Sequence, residues 1–196
     1  MKKLKIYVAG KVNPNSCFGK HDWRDPFCEK LSRMTGYNMI NLDPTKANIP
    51  FVMRENDPFF VFGRDSFMIS KADIVIVNLT DDISVGGSQE MLIAKYFNKI
   101  LVGIVKSEGK FKKTIKVIQK KEYHNYLHPF VAVPCDYLVE NIDELANLIL
   151  HKIKINQNSI KKHLIKTHLD EIILGTIEYY KQKFLVEDTY LHDKID

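Results

Sequence analysis

The hydrophobic positions of the chain fall into short apolar runs that alternate with helical patterns. Five runs rich in β-branched and aromatic residues predict strands, at residues 4–9, 37–42, 73–79, 100–105 and 130–133. The run at 73–79 (DIVIVNL) is almost uninterrupted by polar residues. A continuous apolar strand is typical of the centre of a parallel sheet that is covered on both faces.

Between these runs, apolar residues recur at spacings of three and four, which predicts helices. Phe27, Leu31 and Met34 share one face of a helix expected from about residue 22 to residue 34. Three prolines make residues 43–58 a long surface loop, and the basic segment 106–128 is expected to be partly helical. The other helices are predicted at 59–71, 88–98, 141–154 and 158–184.

This alternation predicts a five-stranded parallel sheet with helices on both sides. We expect residues 1–154 to form this α/β domain. Residues 155–196 would form a helical extension, which would serve oligomer contacts, act as a lid or pack on the domain's own core.

Composition narrows the class of protein without identifying it. The 196 residues are 45% hydrophobic and 27% charged, which is typical of a globular domain. Lysines and arginines are scattered along the whole chain, and the net charge of +5 would tolerate an anionic substrate but falls short of a nucleic-acid footprint. No apolar stretch reaches the roughly 20 residues of a membrane span. The odd number of cysteines and the absence of a leader pattern predict reduced thiols and a cytoplasmic location.

Candidate binding groups follow the predicted strands. In parallel α/β sheets, ligands bind beyond the carboxyl ends of the strands. Gly10 and the 11–24 loop follow the first strand, and a turn at 80–88 follows the central one. Gly86, Gly87 and Ser88 place backbone N–H groups at a helix start, where a phosphate or sugar hydroxyls would bind. A turn with a purely conformational role is the alternative.

Three side chains are candidates for chemistry at the same edge of the sheet. Glu90 lies two residues into the predicted 88–98 helix, Asp65 lies in the preceding helix, and Tyr7 lies near the end of the first strand. For Glu90, capping and the helix dipole are the alternative explanation.

Several motifs resemble the nucleoside 2-deoxyribosyltransferase superfamily, which includes nucleoside 5′-monophosphate N-glycosidases. They are IYVAG at 6–10, Arg64-Asp65 before ADIVIV at 72–77, SVGGSQEM at 84–91, and then Ala94-Lys95 and Asn98-Lys99. The resemblance covers roughly residues 4–106. It implies a flavodoxin-like or Rossmann-like three-layer sandwich.

The resemblance also implies roles for single residues. Glu90 would be the nucleophile that attacks the anomeric carbon, Tyr7 would hold its carboxylate, and Asp65 would protonate or position the leaving base. Ser84, where the transferases tend to carry aspartate, favours a 5′-phosphate on the substrate. Arg24 or Lys11 would add positive charge.

The implied function is cleavage of the N-glycosidic bond of a nucleoside or nucleoside 5′-monophosphate, with transfer to water or to another base. Trp23 would stack on the base, with packing as its alternative role. We expect no metal, no cofactor, no nucleic-acid or membrane partner, and a homodimer or larger homo-oligomer. The alternative functions are a non-catalytic nucleotide-binding module and, less favoured, a flavin-binding domain.

Overall fold

The computed structural model describes residues 2–10, 23–46, 57–153 and 169–183. Lys11 and the loop residues around it lie outside the described residues, as do residues 47–56 of the predicted long loop. The central sheet has five strands: β1 (Lys3–Ala9), β2 (Asn38–Asn41), β3 (Ile74–Leu79), β4 (Ile100–Val105) and β7 (Tyr137–Val139). Strands β5 (Lys112–Ile118) and β6 (Lys121–Leu127) form a separate hairpin.

The five strands pair in the order β2-β1-β3-β4-β7, and all four pairings are parallel. The predicted five-stranded parallel sheet is therefore confirmed. The described residues form six helices: α1 (Arg24–Thr35), α2 (Pro58–Lys71), α3 (Val85–Tyr96), α4 (Pro129–Ala132), α5 (Ile142–His151) and α6 (Leu169–Lys183).

Two apolar cores lie on opposite faces of the sheet because successive strand residues point to opposite sides. On one face, the even-numbered residues of β1, β3 and β4 pack against α1 and α5. On the other face, odd-numbered strand residues such as Tyr7, Val75 and Leu101 pack against α2 and α3. This second layer brings α2 and α3 over the end of β1, where the candidate residues lie.

Residues 106–128 were predicted to be partly helical, and that prediction was wrong because most of them form a β-hairpin. Strands β5 and β6 are antiparallel, and Gln119 and Lys120 at the tip both have positive φ angles, of 50° and 65°. Positive φ at both central residues is the geometry that suits a two-residue hairpin turn. Strand β5 carries Thr114, Ile115, Val117 and Ile118 among three lysines, and β6 carries Tyr123 and Tyr126, so neither strand shows the regular alternation or the continuous apolar run that predicts a strand.

The fifth strand was predicted at residues 130–133, which is too early in the sequence. Residues 129–132 form the short helix α4, and the strand follows at Tyr137–Val139. Pro129 occupies the first helical position, where its fixed φ favours a helix start. Beyond α4, β7 lies close to β4, where a side chain at Gly103 would approach Leu138 within 2.7 Å.

The C-terminal extension is described only in part. Of the helix predicted at 158–184, residues 169–183 form α6, which approaches α3. The division into a domain at 1–154 and an extension stays a prediction. Within the described ranges, no helix is long and apolar enough to cross a membrane.

Candidate active site

A short hydrogen bond joins the end of β1 to helix α3. The hydroxyl of Tyr7 donates to Oε1 of Glu90 at 2.6 Å, between residues 83 positions apart in the sequence. Tyr7 is an odd-numbered residue of β1, so its ring points toward the face that α2 and α3 cover. The strand's alternation therefore explains why this tyrosine meets the glutamate.

Glu90 occupies the second turn of its helix, not the first. Helix α3 begins at Val85, three residues earlier than predicted, and Ser84 is its N-cap. The proposed stabilisation of Glu90 by the helix dipole therefore does not apply, because the effect is confined to the first turn. Glu90 and Gly86, which lies four residues earlier on the same face of α3, line the same cleft.

Helices α2 and α3 enclose a cleft of about 480 Å³ that contains both candidate carboxylates. Glu90 contributes one wall and Asp65 of α2 the other. Gly86, four positions before Glu90, was a predicted binding residue. The other lining residues were not predicted, and three of the five lie three or four positions from a carboxylate on the same helix: Pro58, Val61, Phe62, Gln89 and Ile93. Helical spacing around Asp65 and Glu90 was the signal that would have identified them.

The cleft raises the pKa of both carboxyl groups. Burial is the main cause for Glu90, opposed by the Tyr7 hydrogen bond and the positive charge of Arg24, and its pKa is above the usual value. Burial and then the negative charge of Glu90 raise the pKa of Asp65 to about 6. The negative charge of Glu90 therefore helps Asp65 to keep its proton. Two neighbouring carboxyl groups in different environments are suited to different roles.

Arg24 lies beneath this site as a buried positive charge. It is only 1% exposed, so it is not a surface residue of α1. Its Nε donates to the carbonyl of Val8 at 2.9 Å and its Nη2 to that of Gly10 at 2.8 Å. Nη1 is buried without a hydrogen-bond partner in the described part of the chain. Two of its nitrogens therefore hold the carboxyl end of β1, and its charge lowers the pKa values of Tyr7, Asp65 and Glu90.

Trp23 packs in the core and is not exposed to a bound base. Its ring is 3% exposed, stacks edge-to-face on Phe27 with centroids 6.0 Å apart, and carries the Arg24 guanidinium 4.8 Å from its centre. A Cβ atom at Gly10 would lie 3.1 Å from the Asn78 side chain and 3.4 Å from the Trp23 ring. Gly10 therefore allows β1 to end close to both residues. The structure gives no support to base stacking by Trp23.

The turn before α3 is organised by Ser84. Its Oγ accepts the backbone N–H of Gly87 at 3.0 Å, and its carbonyl accepts that of Ser88 at 3.0 Å. These two amides are therefore used within the helix start. The amides of Val85 and Gly86 have no intrahelical acceptor, as in the first turn of any helix. Of the predicted phosphate-binding group, Gly86 lines the cleft, and the Ser88 hydroxyl donates instead to the Val85 carbonyl.

Arg64, the residue before Asp65, anchors the chain that leaves β2. Its Nη1 donates to the Pro44 carbonyl at 2.9 Å, and its Nη2 donates to the Lys46 carbonyl. The sequence motif contained Arg64 without indicating this role. The bonds fix the start of the 43–58 segment against α2, close to Asp65.

Removing the Tyr7 hydroxyl tests whether it controls the Glu90 carboxylate. The hydrogen bond lowers the pKa of Glu90, so Tyr7→Phe should raise that pKa further. If ionised Glu90 is required, the acid limb of the activity profile should move to higher pH. Activity at the optimum should fall about 10- to 100-fold, as expected for a lost hydrogen bond to a charged group.

The exposed Tyr96 of α3 provides the matched control, since Tyr96→Phe removes the same hydroxyl from a ring that is 67% exposed. The profile of kcat/KM against pH is the measurement. An unchanged acid limb in Tyr7→Phe would mean that the hydrogen bond does not set the ionisation of Glu90.

The described residues include no group of three or more His, Cys, Asp or Glu side chains arranged to hold a metal ion. His124 and His128 are both described, whereas His163 and His168 lie outside the described residues.

No model of a known protein family matches the sequence, and no curated protein matches it. Among solved structures, a conserved protein from Enterococcus faecalis V583 aligns with a TM-score of 0.54 at 15% identity, covering 74% of this chain and 96% of that one. At this identity the likeness shows the fold alone.

Two further solved structures have TM-scores below 0.5, so their alignments carry no argument about this chain. A 2-deoxyribosyltransferase from Bacillus psychrosaccharolyticus aligns at 0.46 and 17% identity, over 73% of this chain and 90% of that one. The CMP N-glycosidase BcmB from Clostridium botulinum aligns with a TM-score of 0.37 at 13% identity, over 74% of this chain and 97% of that one. The sheet order and the Enterococcus protein together establish the fold of this chain as a flavodoxin-like α/β sandwich.

Proposed function

We propose that this protein cleaves the N-glycosidic bond of a nucleoside or nucleoside 5′-monophosphate through a covalent glycosyl–Glu90 intermediate. The observation that carries the proposal is the 2.6 Å hydrogen bond from Tyr7 to Glu90 in a cleft shared with Asp65. The sequence motifs around these residues, which resemble the nucleoside 2-deoxyribosyltransferase superfamily, support the same reaction.

In the first step, the Glu90 carboxylate attacks the anomeric carbon of the sugar. Tyr7 binds Oε1, so the other oxygen, Oε2, forms the new C–O bond. The electron pair of the broken C–N bond goes to the base nitrogen, which takes the proton of Asp65. The base then leaves as a neutral molecule. A carboxylate beside the anomeric carbon also stabilises the positive charge that develops there in the transition state.

In the second step, water or another base attacks the anomeric carbon and the ester bond to Glu90 breaks. The Asp65 carboxylate left by the first step accepts the proton that the attacking nucleophile releases. Each group thereby returns to its starting state, as required when one residue serves first as acid and then as base. This cycle needs no redox step.

Ser84 and the Gly86 amide are the groups we propose for the 5′ end of the substrate. The Ser84 oxygen already accepts a hydrogen bond, but its hydroxyl proton remains a donor for a phosphate oxygen. An aspartate at this position would repel a phosphate. A 5′-monophosphate is therefore the favoured substrate.

A chromatographic screen for free base tests the function. The protein is incubated with ribo- and deoxyribonucleosides and their 5′-monophosphates, with and without a second base. Base released from a monophosphate without an acceptor would identify a hydrolase, and exchange only with an added base would identify a transferase. Binding of a nucleotide with no product would contradict the proposal and favour a non-catalytic binding module.

The raised pKa of Asp65 leads to a prediction for activity and stability. If Asp65 must donate a proton, activity should fall as the pH rises through about 6, the pKa that burial gives this group. Asp65→Asn should lose that alkaline limb and about 10²- to 10⁴-fold in rate.

Asp65→Asn should lower the activity but raise the stability of the protein. The folded state binds the Asp65 proton more tightly than the unfolded state does, because the pKa rises from 3.8 to about 6. Wild-type stability is therefore lost as the pH rises through this range. Asp65→Asn should be more stable than wild type at about pH 8 and equal to it below about pH 4. Thermal unfolding at both pH values is the measurement, with the exposed Asp143→Asn as control.

The homo-oligomer stays a prediction. Large apolar side chains are exposed on α2, where Phe59, Phe62 and Phe67 are 90%, 57% and 62% exposed. We infer that a second copy covers this face, beside the cleft.

A further inference from the structure

The positive charge of this protein is concentrated in one segment. Residues 106–128 hold seven lysines against two glutamates, a net charge of +5 that equals the formal net charge of the whole chain. The other 22 basic and 22 acidic residues cancel. A total of +5 is small for a chain of this length, but its confinement to 23 residues gives a strong local field.

This segment projects from the domain as the β5–β6 hairpin. Most of its residues are exposed, including Ile115 at 47%, Val117 at 60% and Tyr123 at 41%. Its base is held by Phe111, which is 5% exposed and whose carbonyl accepts the N–H of His128 at 2.8 Å. Seven-residue strands make a ribbon about 23 Å long. An isolated two-stranded ribbon is marginally stable, so this one gains from a partner.

Four lysines of the hairpin make no ion pair with any described carboxylate. Lys110 and Lys112, near the base, pair with Asp82 and Glu140. The unpaired lysines lie along β5 and at the tip: Lys113, Lys116, Lys120 and Lys121. Two of these four lie over tyrosine rings of β6, at 3.8 Å and 5.7 Å from the centroids.

The mixture of side chains on each face argues against a lipid partner. Along β5, Ile115 and Val117 share one face with Lys113, while Ile118 shares the other with Lys112 and Lys116. Neither face is continuously apolar, as insertion into a bilayer surface requires. A second copy of the hairpin would bring together two ribbons that each hold five lysines and one glutamate. An extended row of phosphates offers negative charges to the same lysines. It requires neither a continuous apolar face nor the approach of like charges.

We propose, against the expectation from overall composition, that the β5–β6 hairpin binds the phosphate backbone of a nucleic acid. A two-stranded ribbon fits the major groove of a duplex, and lysines with exposed tyrosines also suit a single strand. Along 23 Å the ribbon meets about six or seven phosphates of one strand, spaced by about 3.4 Å. The four unpaired lysines neutralise about four of them. This site is separate from the Tyr7–Glu90 cleft and does not depend on the proposed catalysis.

Fluorescence anisotropy with the full chain tests the proposal. The probes are a labelled 20-nucleotide single strand and a 20-base-pair duplex, each titrated from 50 to 200 mM salt. Four neutralised phosphates give a log–log salt slope of about −3 to −4, so affinity should fall about 100-fold across this range. The stronger-binding probe identifies the form of nucleic acid that the hairpin prefers.

Two matched variants assign any binding to the hairpin, and circular dichroism confirms that both are folded. The hairpin variant carries Lys113→Gln, Lys116→Gln, Lys120→Gln and Lys121→Gln. The control carries the same change at four exposed lysines outside the hairpin: Lys2→Gln, Lys3→Gln, Lys30→Gln and Lys152→Gln. The hairpin variant should bind at least about 10-fold more weakly at 50 mM salt, with a slope near zero, while the control behaves like wild type.

Three results would overturn the proposal. They are failure of the wild type to bind either probe at 50 mM salt, equal losses in the two variants, and binding of vesicles containing 30% phosphatidylserine in place of both probes. Equal losses would indicate a general charge effect, and vesicle binding would indicate a membrane partner.

Discussion

Glu90→Gln should reduce base release by roughly 10³-fold or more while leaving the protein folded. Glutamine keeps the size of the side chain and still accepts a hydrogen bond from Tyr7. It cannot form the glycosyl ester, because an uncharged amide is a poor nucleophile. The loss should therefore lie in the chemical step, and substrate binding should remain close to wild type.

Intact-mass spectrometry separates covalent catalysis from simple charge stabilisation. A quenched wild-type reaction should contain protein that has gained the mass of the glycosyl group, and the Glu90→Gln reaction should contain none. The exposed Glu29→Gln on α1 provides a control for the loss of one negative charge. Base release by Glu90→Gln at the wild-type rate would contradict the nucleophilic role.

Lys95→Met should have the largest effect on stability. The Lys95 ammonium is 0% exposed and lies 2.8 Å and 2.9 Å from the two carboxylate oxygens of Asp136, itself 1% exposed. Removing the lysine leaves a buried carboxylate without its counter-charge, which costs about 3–5 kcal/mol. Since domains are typically stable by about 5–15 kcal/mol, a large part of the free energy of unfolding should be lost.

Urea denaturation measures this change, and a second substitution identifies its cause. Asp136 also accepts the backbone N–H of Leu101 at 2.8 Å. Adding Asp136→Asn to Lys95→Met removes the buried charge and keeps an acceptor for that amide, so the double variant should recover most of the loss. A double variant as unstable as the single one would show that the buried charge is not responsible.

The exposed pair of Lys110 and Asp82 provides the comparison. Its side chains are 59% and 37% exposed, so Lys110→Met should change the free energy of unfolding by less than about 1 kcal/mol. The contrast would show that burial, and not the presence of an ion pair, sets the energetic effect.

The sequence predicted the sheet where its signal was periodic and strong. The strands at 4–9, 73–79 and 100–105 agree with β1, β3 and β4 within one residue, because buried parallel strands require continuous apolar runs. The hairpin was missed because both strands are largely exposed and β5 is rich in lysine. β7 was missed because it has only three residues, too few for a periodic pattern.

The proximity of Tyr7, Asp65 and Glu90 was also predictable from the sequence. Tyr7 stands at the end of a strand, and Asp65 and Glu90 stand on the helices that flank the next strand. Parallel topology brings such positions to one edge of the sheet. In the structure, Tyr7 donates to Glu90 and Asp65 lines the same cleft. Their catalytic roles remain proposals.

The sequence by itself therefore determined the parallel sheet and the candidate carboxylates, because strand alternation and helical spacing are local properties. Only the tertiary structure decided that Arg24 and Trp23 are buried, that Ser84 caps α3, and that the basic segment 106–128 forms an exposed hairpin. Burial and hydrogen-bond partners depend on segments far apart in the sequence. Charge, ionisation and exposure at these positions are set by which segments the fold brings together.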